Sequence, residues 1–204
     1  MFGRKVLATV AVGLVCLAAC APRAFLPDTT EVTEIIVTRS VSRTLHADVD
    51  FTEAGRSRIR QAGVRWANFT QGRVNLQIVF DLDFDDMIGL AEHMAEAHDA
   101  IIPVHSSMDI VSRLTTETGL DNGKLLLGAT THHENDAMVV RLVMDRIDPD
   151  DFETVVTHEL GHVAGLPDLP TQDSVMSAAS PAGARVKEFS ADDAKLCRAF
   201  RYCL

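Results

Sequence analysis

The sequence predicts an α+β fold in a single domain: strands and helices interspersed, then a long helix, a loop and a last helix. Three observations carry that expectation. Period-2 alternation runs through Arg73 to Phe84, residues 124–131 and 137–144 read as two further strands, helix-period runs lie between such segments, and the chain after Pro149 reads as helix, loop, helix. With 204 residues, 47% of them hydrophobic, there is material for one substantial core and too little for two comfortable domains.

The first twenty residues set the compartment. Arg4 and Lys5 make a basic start, Val6 to Val15 is nearly continuously apolar, and Leu17-Ala18-Ala19-Cys20 follows. The apolar run is well short of the roughly twenty residues a bilayer requires, so residues 1–19 read as a signal peptide. The small residues before Cys20 resemble the lipobox of bacterial lipoproteins, which implies cleavage before Cys20 and acylation of its sulfur and new amine. An ordinary secretory signal cut near Ala19 or Ala21, or an uncleaved anchor, is the alternative; all three export the rest of the chain. Several acyl chains on one cysteine give a stable membrane attachment, since each buried methylene contributes only about 0.8 kcal/mol and a single chain is marginal. Ala21 stands where an Asp often retains lipoproteins at the inner membrane of Gram-negative bacteria, so the expected location is the outer membrane, facing periplasm or surface.

Charge and cysteines narrow the partners. Taking Arg4 and Lys5 from the 19 basic residues leaves 17 against 29 acidic ones, a formal −12, and no basic stretch is available to track phosphates. Nucleic acid is therefore not an expected partner, and a monomer is expected. With Cys20 acylated, Cys197 and Cys203 form an even pair in an oxidising compartment, where a disulfide between them is expected. Six positions apart on an unbroken helix they would lie about 9 Å apart along the axis, so the last helix must end near Phe200.

Residues 20–44 mix Pro, Thr, Ser and Glu around one β-branched patch at Ile35 to Val37 and read as a lipidated tether with a candidate strand in that patch; the domain is expected over 45–204. His46 to Phe51 alternates as a short strand. Thr52 begins a helix whose Ile59, Ala62 and Trp66 share a side, and Gln71-Gly72 stops it. Arg73 to Phe84 is a strand with Leu76, Ile78, Phe80, Leu82 and Phe84 on one face. Asp85 to Ala100 places Met87, Leu90, Ala91, Met94 and Ala97 at helical intervals, Ala100 to His105 reads as a strand, and Ser106 to Thr118 is ambiguous. Lys124 to Thr131 and Ala137 to Met144 read as two strands joined through the turn formers of His132 to Asp136. Asp148-Pro149 supplies an N-cap and a first-turn proline for a helix running to about Gly165, and Ser190 to Asp193 starts the terminal helix as a capping box.

The segment Thr157 to Asp168 carries most of the chemistry. Helix positions four apart share a face, so His158 and His162 can present two imidazoles to one ion, while Glu159, turned by about 100°, can reach a water on that ion without being a ligand. Three protein ligands leave a fourth position open, the metal lowers the pKa of water bound there, and the carboxylate takes its proton. Gly165 can adopt a left-handed conformation and turn the chain so that Asp168 reaches the same metal, with Pro167 stiffening the return.

The string H-E-x-x-H-x-x-G-x-x-D resembles the metzincin zinc peptidases, with Asp where most members have a third His, and its Gly-Leu-Pro-Asp ending looks most like the snapalysin group of small secreted bacterial peptidases. The resemblance covers residues 150–178 by motif and, loosely, 46–204 by element order. It implies a mixed, mostly parallel twisted sheet, one catalytic Zn2+, an endopeptidase activity on protein or peptide substrates, and a methionine turn at Ser174-Val175-Met176-Ser177, with Met176 as the floor of the site and not a ligand. No Tyr follows Met176, and the sole tyrosine is Tyr202, so a tyrosine that steadies the transition state in some metzincins has no counterpart by motif. A non-catalytic envelope lipoprotein with a structural zinc site is the alternative reading.

Weaker patterns read blandly. Asp81, Asp83, Asp85 and Glu92 fall at the first, third, fifth and twelfth positions of a calcium loop, but Asp86 occupies the position that needs Gly, so a solvated strand edge is preferred to a Ca2+ site. His132 and His133 are adjacent and His93 and His98 five apart, both poor chelating spacings. Substrate specificity would lie in the loops at Thr130 to Asp136 and Leu169 to Arg185.

Overall fold

A computed structural model of the chain describes residues 38–83, 98–117, 126–178 and 188–203. The signal peptide, Cys20, the Ile35 to Val37 patch, the helix expected after Asp85, His93, and the Asp85, Asp86 and Glu92 positions of the calcium-like loop lie outside the described residues.

Among the described residues, five strands form one sheet in the order β2-β1-β3-β5-β4. The strands β1 (Val41–Asp48), β2 (Val74–Leu82), β3 (Ala100–Val104) and β5 (Met138–Val143) run parallel, while β4 (Gly128–His132) is antiparallel to β5 at one edge. The sheet is thus mixed and mostly parallel. Parallel strands must be covered on both faces, and the run Met138 to Val143 is buried at every position. One face contributes Leu45, Ala47, Ile101, Val140 and Leu142 to the larger core; the other sets Ala100, Ile102, Val104, Val139 and Val143 against a smaller one.

Two helices build the larger core. The first, α1 (Glu53–Phe69), starts where Thr52 Oγ1 accepts the Gly55 N–H at 3.2 Å, and it buries Ile59, Ala62 and Trp66 as its periodicity implies. The helix α3 (Phe152–Val163) buries ten of its twelve residues, which a helix enclosed by the sheet, α1 and the C-terminal segment must do. At the α1–α3 crossing the Trp66 indole N–H donates to the Thr157 carbonyl at 2.7 Å. A Cβ at Gly161 would stand 2.3 Å from Met176 Sδ and 2.8 Å from Trp66 Cζ2, so this closeness of packing requires glycine.

Several expectations need correcting. The first strand begins at Val41, not His46, and so takes in Val41 to Thr44 of the stretch read as tether; its outer half alternates between half-buried and exposed positions, which blurs the sequence signal. The ambiguous Ser106 to Thr118 stretch contains α2 (Asp109–Glu117), whose Val111 and Leu114 cover the smaller core. The strand expected from Lys124 begins at Gly128, residues 124–125 lying outside the described set. Asp148-Pro149 forms a turn ahead of α3 instead of capping it: Asp148 accepts the Asp150 N–H through Oδ1 and the Asp151 N–H through its carbonyl, and Asp151 holds the N-cap position.

The last helix, α4 (Ala191–Ala199), carries the expected capping box between Ser190 and Asp193. It ends at Phe200, Arg201 takes a φ of 64°, and the chain returns to join Cys203 to Cys197 in a disulfide with a Cα–Cα distance of 5.3 Å. The condition placed on that bond by helix geometry is met.

Replacing Trp66 by Phe removes the indole hydrogen bond and leaves unfilled volume where the two core helices cross. Stability should fall by about 1.5 to 3 kcal/mol, read from the midpoint of urea unfolding; an unchanged midpoint would show that the crossing does not organise the core.

Candidate metal centre

Helical period alone places His158 and His162 on one side of α3. What aims them is the partner each ring finds at its other nitrogen. His158 Nδ1 lies 3.0 Å from the Val175 carbonyl and His162 Nδ1 2.8 Å from the Leu166 carbonyl. A carbonyl only accepts, so both Nδ1 atoms carry the proton and both Nε2 atoms are left as acceptors facing each other. The two Nε2 atoms are 3.1 Å apart, with the rings at 90°.

Asp168 arrives by the bend that ends α3. Gly165, at a φ of 82°, donates to the His162 carbonyl at 2.8 Å and Leu166 donates to the Gly161 carbonyl at 3.0 Å, the paired bonds of a Schellman motif. The following residue, Leu169, is tied to the Met176 turn: its N–H bonds the Met176 carbonyl at 2.6 Å, and it bridges Ser177. Between these anchors Asp168 Oδ1 stands 3.3 Å from His158 Nε2 and 3.4 Å from His162 Nε2. Among the described residues this is the one group of three or more His, Cys, Asp or Glu side chains whose ligand atoms converge within 4.8 Å.

The triangle fits zinc. A tetrahedral ion with bonds of about 2.0 to 2.1 Å sets its ligand atoms about 3.3 to 3.4 Å apart, and two imidazoles with one carboxylate are the donors of a hydrolytic site. Without an ion the same closeness shifts the titration of the group. The hydrogen bond to His158 holds the Asp168 carboxyl below its usual range. Burial pushes His158 down, but its bond to Asp168, the nearby Glu159 charge and the Val175 carbonyl together raise it.

Met176 is fully buried against Gly161 and Trp66, where it underlies α3 as a packing element. Its turn is held from α4. The buried Asp193 carboxylate accepts from Ser174 Oγ at 2.5 Å and from the Val175 and Met176 N–H groups at 3.1 and 3.3 Å, while also closing the cap with Ser190. Asp193 therefore fixes the residue whose carbonyl orients His158, a role its capping position did not reveal.

Glu159 points toward the edge strand β4. Thr130 Oγ1 donates to Glu159 Oε2 at 2.6 Å, and a Cβ at Gly128 would come within 2.6 Å of Oε1. The side chain is buried. Neither Gly128 nor Thr130 was picked out by sequence for this carboxylate, although a glycine inside a strand marks close approach of another group.

Among the described residues, the remaining histidines and Asp81 do not join this centre. Asp81 bonds His46 Nδ1 at 2.9 Å, and the His46 and His98 rings lie 5.8 Å apart. His132 bonds Asp136 at 2.8 Å and His133 bonds Thr131 at 3.3 Å, so the adjacent histidines face different partners.

No protein-family model matches the chain, and no curated protein matches it. Among solved structures it is similar to archaemetzincin from Methanopyrus kandleri, at 13% identity over 79% of this chain and 95% of that one, with a TM-score of 0.47.

The pKa directions give opposite pH responses with and without metal. A His158 pKa raised above 6.5 stabilises the metal-free protein below that value and is lost as pH rises through the folded-state pKa. Asp168, depressed from 3.8, contributes above that value and loses its effect only as pH falls through its lower folded-state pKa. Zinc requires neutral imidazoles and displaces the His158 proton. Melts from about pH 6 to about pH 8 should show this contribution to metal-free stability declining while the upward shift caused by saturating zinc grows. A zinc shift that is largest at the acid end would contradict the ligand set.

Proposed function

We propose that the protein is a zinc-dependent endopeptidase, exported and held on the cell envelope by lipid at Cys20. His158, His162 and Asp168 hold the ion, Glu159 is general base and then acid, and the substrate is a protein or peptide. The observation that carries this reading is the convergence of two Nε2 atoms and one carboxylate oxygen at 3.1 to 3.4 Å beside a buried glutamate that is not part of the triangle. Structural zinc sites are usually closed by four protein ligands; three donors favour the hydrolytic reading over a purely structural one. The export and lipid parts rest on the signal anatomy of residues 1–20.

When bound, zinc supplies a Lewis acid that acidifies water to near neutrality and polarises a carbonyl oxygen. The protein's own groups do the rest. Thr130 fixes Glu159 through Oε2, which leaves Oε1 to take a proton from the attacking water and return it to the leaving amine. Among the described residues β4 is paired on one side only, by β5, so its other edge can accept an extended peptide that runs past Glu159. Tyr202 takes no part at the reacting carbonyl, because its buried hydroxyl is bonded to the Ala164 carbonyl at 2.9 Å.

Glu159→Gln keeps the shape of the side chain and removes its basicity. The variant should bind zinc like the parent and lose casein hydrolysis by roughly a hundredfold or more, followed by peptide release and metal content on the same samples. Full activity in that variant rules out the mechanism. A parent that holds zinc and releases no peptides at any pH would favour the structural-zinc alternative.

A further inference from the structure

The peptidase reading leaves Tyr202 and the Cys197–Cys203 pair without a part in the chemistry, yet both converge on the end of the ligand helix. A helix leaves its last four carbonyls without intrahelical partners. At the end of α3 the bend itself takes two carbonyls, Gly161 through Leu166 N–H and His162 through Gly165 N–H. The Ala164 carbonyl is met from outside the bend: Ala164 is buried, and the Tyr202 hydroxyl, on a residue 2% exposed, donates to it at 2.9 Å.

That carbonyl belongs to the residue just before Gly165, so a group bonded to it sets the origin of the bend. Two of the three ligand positions depend on this bend. Asp168 is carried by it, and Leu166 supplies the carbonyl that orients His162 at 2.8 Å. His158 is independent of it, being oriented by Val175 and, through Val175, by Asp193.

Tyr202 is presented inward by a small covalent ring. The disulfide closes residues six positions apart, Tyr202 and Cys203 both donate their N–H groups to the Cys197 carbonyl at 3.0 and 3.4 Å, and Arg201 adopts the left-handed φ of 64° that the turn demands. From outside the ring, the Arg39 N–H donates to the Arg201 carbonyl at 2.9 Å.

We infer that Tyr202 is a positioning residue for the metal centre, fixing the helix end from which Asp168 and the His162 partner are delivered, and that the Cys197–Cys203 disulfide governs metal affinity by holding that phenol in place. This rests on the zinc reading of the His158, His162 and Asp168 triangle. Removing the hydroxyl leaves a buried carbonyl without its donor, and the bend relaxes to bring that carbonyl to water. The carboxylate on the bend, half exposed and one residue short of the Leu169 anchor, shifts with it.

The test uses the full exported chain in four forms: parent, Tyr202→Phe, the double Cys197→Ala and Cys203→Ala variant, and the triple variant. Zinc affinity is read by competition with a chromophoric chelator, and thermal unfolding is read on metal-free samples. Tyr202→Phe and the double variant should each weaken zinc binding roughly threefold to tenfold, and the triple variant should bind no more weakly than the double one, because the disulfide acts through the phenol. A merely structural role would lower the metal-free melting temperature while leaving zinc affinity, measured well below that temperature, at the parent value; that result overturns the inference. Additive losses in the triple variant overturn the link between disulfide and phenol. A parent that does not bind zinc overturns the metal-centre reading itself, whereas a parent that binds zinc tightly beside an unaffected Tyr202→Phe overturns this inference alone.

Discussion

Two imidazole nitrogens and a carboxylate oxygen held 3.1 to 3.4 Å apart repel one another while all three present lone pairs, and only a proton or a cation between them relieves it. The rest of the structure can be understood as the means of enforcing that closeness. Each ring is turned inward by a backbone carbonyl at Nδ1, and each of those carbonyls lies on a segment tied down elsewhere. Val175 belongs to a turn gripped by the buried Asp193 carboxylate, and Leu166 belongs to a bend whose first residue is bonded by Tyr202. The C-terminal segment, from Ser190 to Cys203, thus reaches both sides of the triangle.

The fold supplies the rigid surface on which this is built. At Gly161 the backbone of α3 is pressed against Met176 and Trp66 so closely that no side chain fits, which fixes the depth of the helix below the site. Among the described residues the mostly parallel sheet leaves its antiparallel strand β4 at the edge next to Glu159, and the absence of a side chain at Gly128 lets the carboxylate lie against that strand. Glu159 adjoins His158 in the helix, and strand order together with the close approach at Gly128 brings the edge of the sheet to it.

Much of the site was legible in the sequence because its geometry is local. The spacing of His158 and His162 follows from helical period, the Gly165 bend from the freedom of glycine at positive φ, and the closing of Cys197 on Cys203 from where a capped helix has to stop. What was not legible depends on partners distant along the chain. Thr130 and Glu159 are separated by 29 residues, Ser174 and Asp193 by 19, and Ala164 and Tyr202 by 38. Composition around those residues looks like ordinary strand, turn and tail. The start of β1 was missed because its outer half is only partly buried, and α2 because a stretch rich in Ser and Thr has no strong preference until Val111 and Leu114 find the sheet. Asp148-Pro149 carried a sound helix-start signal that the chain uses for the preceding turn.

The central claim is that one divalent ion is shared by two imidazole nitrogens and a single carboxylate oxygen. X-ray absorption at the zinc edge on the loaded protein tests it directly. The account predicts a four-coordinate nitrogen and oxygen shell at about 2.0 to 2.1 Å with the outer-shell scattering of two imidazoles and no sulfur. A shell of six oxygens, or one lacking imidazole scattering, would contradict it.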